Sequence, residues 1–126
     1  MTLYLTAEEV LTIADFACDD MQVIVREASL LESAVYRPSA SMFGQEVYPD
    51  LFDKAACLLQ SLAINHPLID GNKRTAWLSC TMFLRMNGQD LRPDQDAAYE
   101  LVIAVASGEL DDVKVIADRL RVLSPG

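Results

Sequence analysis

The stretch His66-Pro67-Leu68-Ile69-Asp70-Gly71-Asn72-Lys73-Arg74, continued by Ala76, Trp77, Leu78, Cys80, Met82, Phe83, Leu84 and Met86, decides how this chain is read. Its second half surrounds nearly the whole helical circumference with apolar side chains, and a helix apolar all round is a buried one. The helix opening at Asn72 is therefore predicted to be the centre of a bundle, stopped by Asn87-Gly88. The first half gathers the chain's only histidine, a carboxylate, a glycine and two cations into one loop and a first helical turn.

Upstream of this stretch, Asp50 can cap a helix in which Leu51, Ala55, Leu58, Leu59, Leu62 and Ala63 recur at three- and four-residue steps, ending near Asn65. At the N-terminus, Thr6-Ala7-Glu8-Glu9 is a capping box, with Leu5 and Val10 at the positions of a hydrophobic staple. The helix it opens is expected to run to about Asp19. A second helix is expected from about Glu27 to Tyr36, with Ala28, Leu31, Ala34 and Val35 on one side and Pro38 as its stop. Ser39 to Val47 has no helical period and contains Gly44, so it reads as irregular or as a short extended flap.

Downstream, one helix is expected from about Asp94 to Ser107, ended by Gly108. Another follows Asp111 or Asp112, with Val113, Ile116, Ala117, Leu120 and Leu123 facing inward. The expected fold is all-α: a single domain, residues 1–126, of about six helices around a buried central helix. No internal repeat or long linker divides it.

A chain of 126 residues buries about two-thirds of its unfolded surface, enough to fold without disulfides or metals. Hydrophobic residues make up 52% of it, yet charges interrupt every apolar run before the roughly 18 residues of a membrane span. The N-terminal residues lack the basic start and cleavage site of a signal peptide, so a cytoplasmic location is expected. Cys18, Cys57 and Cys80 are odd in number and widely spaced, and read as buried thiols of a reducing compartment. The net charge of −9 speaks against direct nucleic-acid binding, which needs clustered Lys and Arg, but one mononucleotide needs only a local positive pocket.

The start of the helix after Gly71 supplies orphan N–H groups and the positive end of a dipole, a receptor for an anion. Gly71 lets a phosphate come close. Asn72 can cap the helix, or hold the loop and donate to the phosphate. Lys73 and Arg74 oppose the helix dipole in the first turn, a cost that a bound polyphosphate reverses. Arg74 offers a bidentate grip and Lys73 a point charge. Asp70 can cap the helix or hold a magnesium ion against phosphates. His66 sits on the loop just before, placed to take a proton from an attacking hydroxyl, with Pro67 stiffening the backbone beside it.

These residues resemble the signature of the Fic/Doc family, His-x-Phe-x-Asp/Asn-Ala/Gly-Asn-Gly/Lys-Arg, in a loop between two central helices. His66, Asp70, Gly71, Asn72, Lys73 and Arg74 fall on it in register, and Leu68 stands where Phe is usual. The resemblance runs from about Val25 to Leu123, through Leu30-Leu31-Glu32-Ser33-Ala34, Tyr48-Pro49, Phe83 to Gly88 and Ala104 to Gly108. Members with Gly after the Asn generally transfer AMP, whereas Lys73 resembles the death-on-curing branch, which transfers the terminal phosphate of ATP.

That resemblance implies a toxin acting as a protein kinase, expected to phosphorylate a threonine of elongation factor Tu and arrest translation. It assigns His66 as base, Asp70 to magnesium, and Gly71, Asn72, Lys73 and Arg74 to the nucleotide. The flap around Met42 to Val47 is expected to align the target chain as an added strand. No inhibitory Ser/Thr-x-x-x-Glu-Gly/Asn pattern occurs in the chain, so restraint is expected from a separate antitoxin lying across an apolar surface near the first two helices. Two other readings stand beside this one: an AMP transferase of the same family, and a helical interaction module that binds an anion without chemistry. The sequence leaves oligomeric state open.

Overall fold

The computed structural model describes residues 1–19 and 22–124. Local capping explains where several of its helices begin. The Thr6 hydroxyl accepts the Glu9 N–H at 3.1 Å and the Glu9 carboxylate accepts the Thr6 N–H at 2.9 Å, which fixes the start of α1 (Ala7–Ala17). Leu5 and Val10, the staple pair, are both buried. Asp50 accepts the N–H groups of Phe52 and Asp53 at the head of α3 (Leu51–Asn65), and Asp112 does the same for Lys114 at the head of α6 (Val113–Val122). The remaining helices are α2 (Ala28–Tyr36), α4 (Asn72–Met86) and α5 (Gln95–Ala106). A 3-10 turn at Arg37–Ser39 carries Pro38 and ends α2.

Between α2 and α3 the predicted flap is a hairpin of two short antiparallel strands, β1 (Ser41–Met42) and β2 (Gln45–Glu46), with Ser41 opposite Glu46. Its tip, Phe43-Gly44, has φ of 53° and 78°, the positive pair that a two-residue hairpin turn demands. The six helices share one apolar cluster that includes Val10 of α1, Leu31 of α2, Leu58 of α3, Phe83 of α4, Leu101 of α5 and Ile116 of α6. Among the described residues no helix is long and apolar enough to cross a membrane. On α2, Leu31 and Ala34 face inward as expected, but Ala28 is exposed.

The bundle does have a buried central helix, and it is α3 rather than α4. Every residue from Asp53 to Leu59 is buried, and α3 packs against α2, α4, α5 and α6. Its sequence conceals this because two charged residues are buried through pairing, and a buried charge is tolerable only when paired. Lys54, 1% exposed, donates to Glu46 Oε1 at 2.9 Å and to the Pro38 carbonyl at 3.1 Å, and its ammonium lies 5.6 Å from the Tyr4 ring centre. Burial works against the Lys54 charge, but Glu46 and Tyr4 outweigh it and the ammonium is held above its usual pKa. Asp53 meets Lys114 of α6 at 3.3 Å.

On α4 the apolar residues off the core face are not buried. Trp77, Leu78 and Met82 line an open groove of about 540 Å³ with Ile13 and Phe16 of α1. Phe16 is 81% exposed there and Met82 44%. This apolar groove thus lies between α1 and α4. Cys18, Cys57 and Cys80 are buried free thiols, as expected. Burial pushes the Cys57 thiol up to about 12 and raises that of Cys80 as well, so neither supplies a thiolate near neutral pH.

Two outcomes test this account. Lys54→Ala strips a donor from the Pro38 carbonyl and leaves a cavity, and is expected to lower stability by about 2–4 kcal/mol in urea unfolding. Asp50 is partly desolvated, which raises its pKa, but the Phe52 N–H and Arg121 outweigh this and hold it below the usual carboxylate value of about 4. It therefore stabilises the folded state above that value, and the contribution disappears as pH falls through the lower folded value. The urea midpoint of the wild type should exceed that of Asp50→Asn at neutral pH, with the gap shrinking once the pH drops below about 4.

Candidate active site

Where α3 ends, His66 takes a left-handed conformation, φ 51° and ψ 60°, that usually belongs to glycine. The chain can hold it there because the following residues are fastened on two sides. Pro67 and Leu68 are buried, Leu68 at 2% exposure. The Pro67 carbonyl accepts the N–H groups of Arg26 at 2.7 Å and Glu27 at 3.2 Å, and the Ile69 N–H donates to Ile24 at 3.0 Å. Val25 and Leu68 thereby pair in antiparallel fashion. The smaller Leu68 still anchors the loop at the position where the family signature has Phe.

The second fastening is the Asn72 side chain. Its amide Nδ2 donates to the Leu68 carbonyl at 2.9 Å and its Oδ1 accepts the Leu68 N–H at 3.0 Å. Asn72 therefore does not cap α4. It closes the loop, the second of the two roles its sequence position allowed. Asp70 does not cap the helix either: its Oδ1 accepts the N–H of its neighbour Gly71 at 2.7 Å. The cap position belongs to Gly71, left-handed at φ 83°, and no side chain hydrogen-bonds to the first turn of α4.

That omission matters chemically. The N–H groups at the start of α4 remain available, and they face the positive end of the helix dipole. Arg26, His66, Leu68, Ile69, Asp70, Gly71, Asn72, Lys73 and Arg74 line one open cleft of about 810 Å³. His66, Asp70, Lys73 and Arg74 are all exposed to it. Neither Lys73 nor Arg74 forms an ion pair among the described residues. Two cations without ion-pair partners beside open helix-end amides make an environment whose chemistry suits an anion.

The structure thus brings all six residues predicted from the sequence to one cleft, and adds a seventh, Arg26. Its Nε donates to the His66 carbonyl at 2.7 Å and its Nη2 to the Asn65 carbonyl at 2.9 Å. No local signal marks it, since it lies 40 residues upstream of His66 and only the folded loop brings the two together. Among the described residues no three His, Cys, Asp or Glu side chains gather into a metal cage. Asp70 presents its carboxylate alone at the surface of the cleft. That donor set suits magnesium, which is commonly held by one carboxylate together with phosphate oxygens and water.

The Fic/DOC family pattern matches residues 4–84. "Toxin Doc" of Mycolicibacterium smegmatis is 47% identical over 120 residues, spanning 94% of this chain and 92% of that protein. "Protein kinase doc" of Escherichia phage P1 is 37% identical over 90 residues, spanning 71% of this chain and 69% of that protein.

The Asn72 clamp is testable on its own. Asn72→Ala leaves the Leu68 N–H and carbonyl unpaired in a buried loop and is expected to lower stability by about 2–3 kcal/mol. Thermal unfolding measures that loss. Calorimetry of the same variant with Mg·ATP should register weaker binding, because the first turn of α4 and the loop no longer hold their mutual position.

Proposed function

The chain belongs to the Fic/DOC family, and from that premise we propose that it is the toxin of a toxin–antitoxin pair, a phosphotransferase that moves the terminal phosphate of ATP to a hydroxyl of a target protein. The observation that carries this reading is the meeting of an exposed histidine with the uncapped, doubly cationic start of α4 in one cleft. Two relatives, one a toxin by name and the other a protein kinase by name, support the branch. Lys73, in place of the glycine usual among AMP-transferring members, supports the kinase reading over AMP transfer.

In this reading the polyphosphate of ATP rests on the first-turn amides of α4, gripped by Arg74 and Lys73. The target hydroxyl oxygen attacks the terminal phosphorus in line. Its bond to phosphorus forms as the bond to the bridging oxygen breaks, and ADP leaves. The His66 imidazole takes the hydroxyl proton. Lys73, Arg74 and the backbone N–H of Asn72 stabilise the charge spread over the transferring group, with Gly71 giving it close approach. Asp70 would hold magnesium, which neutralises phosphate charge when bound.

The flap hairpin supports a role in presenting the target chain, since Met42, Phe43 and Val47 are exposed by 63%, 98% and 45%. A threonine of elongation factor Tu is the expected acceptor, and arrested translation in the cytoplasm the expected consequence. The α1–α4 groove, with its exposed Phe16, suits a helical antitoxin segment laying an apolar face into it.

A translation extract incubated with the protein, magnesium and ATP, then examined by mass spectrometry, is expected to contain one protein heavier by one phosphate. A gain of one nucleotide instead would establish AMP transfer, and no gain would leave a binding module. His66→Ala is expected to fold normally and to lose transfer by about 100- to 10,000-fold. Undiminished transfer by that variant would remove His66 from the chemistry.

A further inference from the structure

His66 reaches its cleft from a backbone conformation that its own side chain does not favour. A residue with a Cβ pays steric strain in the left-handed region, and such strain persists only where the surroundings over-determine it. Position 66 also follows directly on the last turn of α3, where backbone carbonyls lack intrahelical donors and the helix dipole is negative. A cation that binds those carbonyls addresses both difficulties together.

Arg26 is placed to do this. Its Nε and Nη2 donate to the His66 and Asn65 carbonyls at 2.7 and 2.9 Å, so one rigid guanidinium spans the peptide unit that joins the helix to its left-handed cap. Its own backbone N–H donates to the Pro67 carbonyl at 2.7 Å, so Arg26 grips three consecutive carbonyls on both sides of His66. An exposed arginine would ordinarily wander among rotamers, but this one is anchored at both its main chain and its head group. With the backbone dihedrals of His66 fixed, so is the direction in which its Cβ leaves the chain, which limits where the imidazole can reach.

We infer that Arg26 is the positioning residue of this cleft: it holds His66 in the left-handed conformation from which its side chain enters the cleft shared with the start of α4. Arg26 acts through His66 rather than on the phosphates, for which Lys73 and Arg74 stand nearer the amides of α4 in the chain. The inference deepens the phosphotransfer reading of the same cleft and rests on it for its kinetic arm.

Because His66 is the only histidine, labelling the histidine Cε1 with carbon-13 yields a single imidazole cross-peak that reports its surroundings directly. Arg26→Ala is expected to shift or broaden that peak. With Mg·ATP and the modified target, kcat should fall by about 10- to 100-fold, with KM for ATP within about twofold of the wild type. Arg26→Lys should recover part of both, since an ammonium can reach one of the two side-chain-bound carbonyls. If Arg26→Ala does not fold, Arg26→Gln, whose amide keeps one donor, takes its place in the comparison. A cross-peak left at its wild-type position, or a change confined to KM, overturns the inference. If the wild type itself transfers nothing, the phosphotransfer reading fails separately, and the cross-peak alone decides the role of Arg26.

Discussion

Two helix ends of opposite polarity meet at one short loop, and the rest of the site depends on how their unpaired backbone groups are satisfied. The C-terminus of α3 presents carbonyls, and the N-terminus of α4 presents amides, separated only by residues 66–71. The carbonyls are taken by Arg26. The amides are left for a ligand, because Asn72, the residue best able to cap them, spends its side chain on Leu68 instead. Had Asn72 capped the helix, the dipole would have been satisfied internally and the cleft would have lost its pull on an anion.

This arrangement reconciles the acidity of the chain with the proposed nucleotide site. A net charge of −9 sets up a field that repels polyanions at long range, but screening confines that field to about 10 Å at ordinary ionic strength. Inside the cleft, Arg26, Lys73 and Arg74 outnumber Asp70. The surface is acidic and the cleft is basic, a contrast that disfavours extended nucleic acid and suits the small, highly charged phosphate ligand of the proposed reading.

The candidate loop was legible in the sequence because its parts are contiguous: His66 and Arg74 are eight positions apart, and the helix start between them writes its own electrostatics. The capping box at Thr6 and the flap around Gly44 were legible for the same local reason. The identity of the central helix was not. Lys54 and Asp53 mark α3 as amphipathic until Glu46, Pro38, Tyr4 and Lys114 arrive from elsewhere to pair with them. The apolar girdle of α4 misled in the opposite sense, since Leu78 and Met82 line a groove and Trp77, although it touches the core, lines that groove too. Arg26 was invisible because its partners are backbone carbonyls, which leave no trace in residue type.

The three buried thiols carry a consequence of their own. A cysteine with its pKa raised by an apolar interior is inert to alkylating reagents until the helices around it part, and Cys57 and Cys80 lie on the two helices that flank the loop of residues 66–71. The pace at which such a reagent labels them is therefore a clock for the opening of the α3–α4 pair. The folded chain carries an intrinsic gauge of its own breathing, readable without any added probe group.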